Sequence, residues 1–239
     1  MSILSTLKSL PGNMYQQLLQ KKVAKIFTIS AIIIYWTAFF SSILLVILIG
    51  ENYYSPVFHY ISDLGSLKFS PFPIIFDIGC IFAGLFSFPI SIYVYHSLRI
   101  KTKPYVENNH LLQTNLNLIL ISGFLGNIGF MGVGLFSVDR NFFNVHFIFF
   151  ITLFAGYYFL AFLVGTLYIF FKIKINKFVA LYGFFSSIFV FIISVVLLLF
   201  SIEWILFEWI ANFIMVSWLY PFLYNVLSKS PRYLKTMKN

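Results

Sequence analysis

Charge is scarce in this chain. Only 10% of its 239 residues are Asp, Glu, Lys or Arg, and just seven are acidic. A soluble domain of this length needs a polar exterior that so few charges cannot supply. Cysteine is scarcer still: Cys80 stands alone, which excludes an internal disulfide and any multi-cysteine zinc site. The four histidines show no H-x-x-x-H or comparable local spacing, so neither a metal nor a cofactor is expected. Two further absences count. The apolar runs lack period-two alternation, which argues against a membrane β-barrel. No repeat relates the first half of the chain to the second, which disfavours an inverted-repeat transporter.

What the sequence has is apolar length. It is 60% hydrophobic, with 32 Phe, and its mean hydropathy is +0.92. A helical span takes ~20 apolar residues, and six such runs stand at about 26–49, 74–98, 116–136, 145–171, 178–200 and 204–227. The predicted fold is an all-α membrane protein, a six-transmembrane-helix bundle over 26–227. It is preceded by a cytoplasmic interfacial leader (1–25, broken at Pro11-Gly12) and followed by a basic cytoplasmic tail (228–239). The first run is too long for the h-region of a cleaved signal peptide. Pro89 and Pro221 are expected to bend the second and sixth helices.

Lysine and arginine set the orientation. Fourteen of the sixteen lie in the amino-terminal segment, the second and fourth connections or the tail; Lys68 and Arg140 are the exceptions. By the positive-inside rule both termini are cytoplasmic in a cell-membrane protein. The net charge of +9 is explained by this flanking pattern, so no nucleic-acid partner is expected; the basic rim faces membrane lipids. Tyr and Trp near the span ends, among them Tyr54, Tyr60, Trp204 and Trp209, read as interfacial anchors.

The acids sort to the opposite side, with Glu107 the one exception. In the first extracytoplasmic loop (51–73), Ser55-Pro56 is a helix-start signal and Gly65 a stop, predicting a short outer-face helix over 56–64 with His59, Ser62 and Asp63 on one face. Asp77, His146 and Glu208 sit near the outer ends of the even-numbered spans, at one membrane level, and Asn212 lies one turn below Glu208. The candidate outer polar pocket is therefore His59, Ser62, Asp63, Asp77, Asp139, His146 and Glu208. Ionisable groups inside spans cost ~2.5–3.5 kcal/mol on insertion scales and point to function. The same residues also suit structural work: Asp63 as a cap and Asp77 as a complement to a helix dipole. A Ser62–His–Asp hydrolase is chemically conceivable, but no nucleophile-elbow sequence surrounds Ser62. Small residues along the second span (Cys80, Gly84, Ser87, Ser91) and the third (Gly123, Gly126, Gly129, Gly132, Gly134) predict close packing of these two helices. Asn127, in mid-span, needs an interhelical partner.

The stretch FHYISDLGS (58–66), then FDIGCIFAGL (76–85), GNIGFMGVGLFSVD (126–139) and VHFIFF (145–150) resemble the signature of a prokaryotic integral membrane family, domain of unknown function 998. The likeness runs over roughly residues 25–200. That family is similar to a eukaryotic membrane group that includes the damage-regulated autophagy modulators and a Golgi factor for remodelling glycosylphosphatidylinositol anchors. The resemblance marks Ser62, Asp63, Gly65, Asp77 and His146 as family-like positions, and it implies more about fold than activity.

The functional expectation is a membrane protein that binds or remodels lipid headgroups at the outer pocket. The alternatives are a non-catalytic accessory subunit with membrane-protein partners or a homo-oligomeric assembly, and thirdly a small-solute transporter. No reaction is assigned.

Overall fold

A chain this apolar, placed in hydrocarbon, has only its own backbone to hydrogen-bond with, and continuous helices meet that demand. The computed structural model describes residues 12–50, 54–106 and 109–228. Among these there is no strand, and six helices are long and apolar enough to cross a membrane. A short helix α1 (Gly12–Leu18) precedes α2 (Lys21–Ile49), α3 (Pro73–Val106), α4 (His110–Leu135), α5 (Val145–Ile169), α6 (Lys177–Leu199) and α7 (Ile205–Ser228). The chain is a polytopic, all-α membrane protein. Glu51, Tyr53, Glu107, residues 1–11 and the tail from 229 onward lie outside the described residues.

Hydropathy marks where each helix is apolar, not where it stops. α2 already begins at Lys21, inside the expected leader, and α3 runs past Arg99, Lys101 and Lys103 to Val106. Long basic side chains keep their heads in water while the backbone stays helical. Sharper starts come from side-chain caps: Asn109 Oδ1 accepts from the Leu112 N–H (3.0 Å) at the head of α4, and Asn176 Oδ1 from that of Val179 (3.2 Å) at the head of α6. Lys21 Nζ donates to the carbonyl of Ser228 (3.1 Å), so α2 starts and α7 finishes at the same, lysine-rich end. The segment 54–72 and the α4–α5 and α6–α7 connections form the opposite, loop end.

The helices are apolar outside as well as inside, with a few polar side chains in the core. Phe185, Phe191 and Leu198 face outward, while Ser42, Asn127 and Thr166 are buried. Polar side chains link helices in the interior. Tyr157 donates to Asn127 Oδ1 (2.8 Å) and Asn127 Nδ2 to Ser91 Oγ (3.0 Å), joining α5, α4 and α3. Asn115 Nδ2 donates to Thr166 Oγ1, Tyr158 to the Ala211 carbonyl, and Trp218 Nε1 to that of Val179. Such bonds contribute ~0.6 kcal/mol each in membranes, so they fix register more than stability.

The glycines of α4 divide between two neighbours. A Cβ at Gly123 would meet Ser91 of α3, and one at Gly134 the Asp77 carbonyl, whereas Gly126, Gly129 and Gly132 lie against Tyr157, Leu153 and Phe149 of α5. Gly84 of α3 faces Met131 and Asn127. The stripe packs closely on the second span and also on the fourth, so α4 is wedged between α3 and α5.

Candidate functional site

The loop end is built on turns instead of the helix expected over 56–64. The carbonyl of Ser55 accepts from the N–H groups of both Phe58 and His59, closing one turn. Tyr60 is then extended (φ −69°, ψ 155°), and a 3-10 helix occupies Ile61–Gly65. Pro56 therefore starts one turn only. Val57 is 58% exposed, while Ile61 and Leu64 are buried, so the three do not share the one face that a continuous helix would give them.

Each polar group here has a defined task. Asp63 Oδ2 accepts from the Tyr60 N–H (2.9 Å), capping the 3-10 helix. Burial raises the Asp63 carboxyl above its ordinary range, against the opposing pull of that N–H and of His59, Lys68 and His146. Glu208 of α7 reaches the same short helix: its Oε2 accepts from the Ile61 N–H (3.2 Å), and the Ser62 N–H bonds to it as well. The first loop is thereby clamped to the last helix. Trp209 adds a second clamp, donating through Nε1 to the His59 carbonyl (2.9 Å). It is buried, and so is a tether in the core, not the interfacial anchor the sequence suggests. His59 is a packing residue: its Nδ1 lies at the Ser55 backbone, and its ring stacks on Tyr54 and meets Phe69 edge-on.

Asp77 is paired with Arg140 at 2.6 Å. The same guanidinium nitrogen donates to the Gly134 carbonyl (2.9 Å). Gly65 presses on this pair, since a Cβ there would stand 2.5 Å from Asp77 Oδ1. The neighbouring Asp139 accepts from Ser66 Oγ (2.8 Å) and the Leu67 N–H (2.6 Å), so the α4–α5 connection grips the first loop at two consecutive residues. His146 is buried and lies 2.6 Å through Nδ1 from the Phe136 carbonyl. A carbonyl can only accept, so Nδ1 carries the proton; Nε2 is buried with no hydrogen-bond partner.

Two spaces adjoin this network. A cavity of about 80 Å³ inside the bundle is lined by Tyr35, Ser62, Cys80, Ser87, Glu208 and Asn212 among others. A larger groove of about 590 Å³ lies between α5, α6 and α7. Its lining is apolar, with Phe154, Phe159, Phe162, Phe191 and Phe207, and Glu208 again contributes.

The structure therefore joins Ser62, Asp63 and Glu208 through one short helix, and Asp77 and Asp139 through adjacent residues of one connection. His59 faces aromatic rings. Among the described residues no group of three or more His, Cys, Asp and Glu is arranged to hold a metal. Sequence reading missed Arg140, Trp209 and Tyr35. Arg140 had a signal: a lone arginine on the lysine-poor side needs a local reason to be there. No protein-family model, curated protein or solved structure matches the chain.

Proposed function

We propose that this chain is a lipid-binding protein of the cell membrane, its loop end outside and both termini in the cytoplasm, which seats an acyl chain in the α5–α6–α7 groove. The observation that carries this reading is the groove itself: about 590 Å³, apolar, and bordered by the single carboxyl of Glu208. In a bilayer such a space is in contact with lipid tails, and a polar group at its wall gives an amphiphile a preferred register. The lysine and arginine distribution supports the orientation. Of the outer carboxyls named above, Glu208 borders the groove and Asp63 and Asp77 do not, so Glu208 replaces them as the polar end of the site.

The test is lipid retained through purification in mild detergent. Ala155 lines the groove and is exposed, so Ala155→Trp fills the space without entering the core. Wild-type protein should retain lipid that the variant loses; equal retention would refute the assignment.

A second reading, a non-catalytic accessory subunit, is favoured by one observation: Asp63, Asp77, Asp139 and Glu208 all bind groups of this same chain. A stoichiometric protein partner, recovered without bound lipid, would select it.

A further inference from the structure

Phe150, Phe154 and Glu208 line both the groove and the inner cavity. The two spaces thus share a wall; both are mainly apolar, and the inner cavity adds polar atoms of Tyr35, Ser62, Glu208 and Asn212 to its lining.

The polar inventory of the cavity is specific. Asn212 is 5% exposed; its Oδ1 accepts from the Tyr35 hydroxyl (3.3 Å), and its Nδ2 is buried without a partner. Such an orphaned donor is costly unless something supplies an acceptor. Glu208 lies one helical turn away on α7, and positions four apart are neighbours on a helix surface. The hydroxyls of Thr28 and Ser87 donate to the carbonyls of Ala24 and Ala83, which leaves their oxygens as acceptors only. No Lys or Arg lines the cavity.

These features select a chemistry. An anionic head would face a carboxyl with no cation to balance it. A protonated amine could donate to Glu208 but would leave Asn212 Nδ2 without an acceptor. A hydroxyl does both, donating to Glu208 while accepting from Asn212. The space is also compact: at ~30 Å³ per liquid water, about 80 Å³ admits a small head and not a sugar.

Building on the groove as a lipid site, we propose that this cavity is its head-end, binding the hydroxyl of a neutral, small-headed lipid such as a long-chain alcohol or a monoacylglycerol. The tail lies along Phe159 and Phe191, and the head passes between Phe150, Phe154 and Glu208.

The experiment uses the full chain in phosphatidylcholine nanodiscs with a diazirine-bearing hexadecanol as photoprobe. Hexadecanol, hexadecane, hexadecylamine and palmitate serve as competitors. Saturable labelling of α5 to α7 is expected, with hexadecanol competing about tenfold better than hexadecane, the worth of one or two buried hydrogen bonds. Asn212→Leu should abolish that preference and keep the groove labelling. If the alkane, the amine or palmitate competes as well as the alcohol on wild-type protein, the hydroxyl site is refuted while the groove stands. If no probe labels the groove saturably, the lipid reading itself fails and this proposal with it. Because the competitor comparison uses wild-type protein, the outcome does not depend on how the variant folds.

Discussion

Arg140 reaches back across 63 residues to the carboxylate of Asp77, at 2.6 Å. The arginine side chain is 43% exposed and the aspartate only 5%, so the pair joins a solvent-facing charge to one inside the bundle. Just beside it, Asp139 holds Ser66 and Leu67. The α4–α5 connection is thus a latch on the first loop.

The latch makes an asymmetric prediction. Arg140→Ala strands the buried Asp77 carboxylate and should cost about 2 kcal/mol, less than the ~3–5 of a fully buried pair because water already reaches the arginine. Asp77→Asn removes the buried charge and leaves an arginine able to hydrate, so it should cost less. The double variant should be no worse than Arg140→Ala. Thermal melting in detergent reads all three, and strictly additive losses would contradict the pairing.

How much of this was visible in the sequence differs by element. The six spans were legible because apolar runs of that length have one stable use in a bilayer. Their ends were not, since Lys21 and Lys103 join helices whose apolar parts stop earlier. The pairing of Glu208 with Asn212 on one face follows from helical periodicity alone. The bond from Ile61 to Glu208 spans 147 residues, and nothing local encodes such a distance. The same holds for the shift of the short helix from the expected 56–64 to Ile61–Gly65: its first N–H bonds to the α7 carboxyl, a tertiary contact that a start signal at Ser55-Pro56 cannot report.

Glycine contacts give a second test. Gly65→Ala would push a methyl onto Asp77 Oδ1, 2.5 Å from the ideal Cβ, and should cost ~1–3 kcal/mol as an overpacked site. Gly129→Ala should cost more, because its Cβ meets the backbone nitrogen of Leu153, which no rotamer change can move. Equal melting temperatures for Gly129→Ala and wild type would refute the close α4–α5 approach.

Asp63 predicts a pH dependence with a definite sign. Burial raises its folded-state pKa above the ordinary value of 3.8. In the window between the two values the folded state binds more protons than the unfolded state, so this group's stabilising contribution is full below 3.8 and is lost as pH rises through the folded value. Asp63→Asn, which can still accept from the Tyr60 N–H, should flatten that slope and be tolerated at neutral pH. Asp63→Ala should lose about 1 kcal/mol of capping. Parallel pH–melting curves for wild type and Asp63→Asn would contradict this.

Orientation can be read on intact cells. Cys80, the sole cysteine, is buried and contributes no background. An impermeant maleimide should label Leu67→Cys, at a position 74% exposed on the loop end. It should label Lys103→Cys only after the cells are permeabilised. The reverse pattern would invert the topology.

The most direct measurement is an experimental density map of the chain in lipid nanodiscs. A tail-shaped density is expected along Phe159, Phe162 and Phe191, ending within hydrogen-bond reach of Glu208 and Asn212. A map in which α6 closes onto α7 and no groove remains would contradict it.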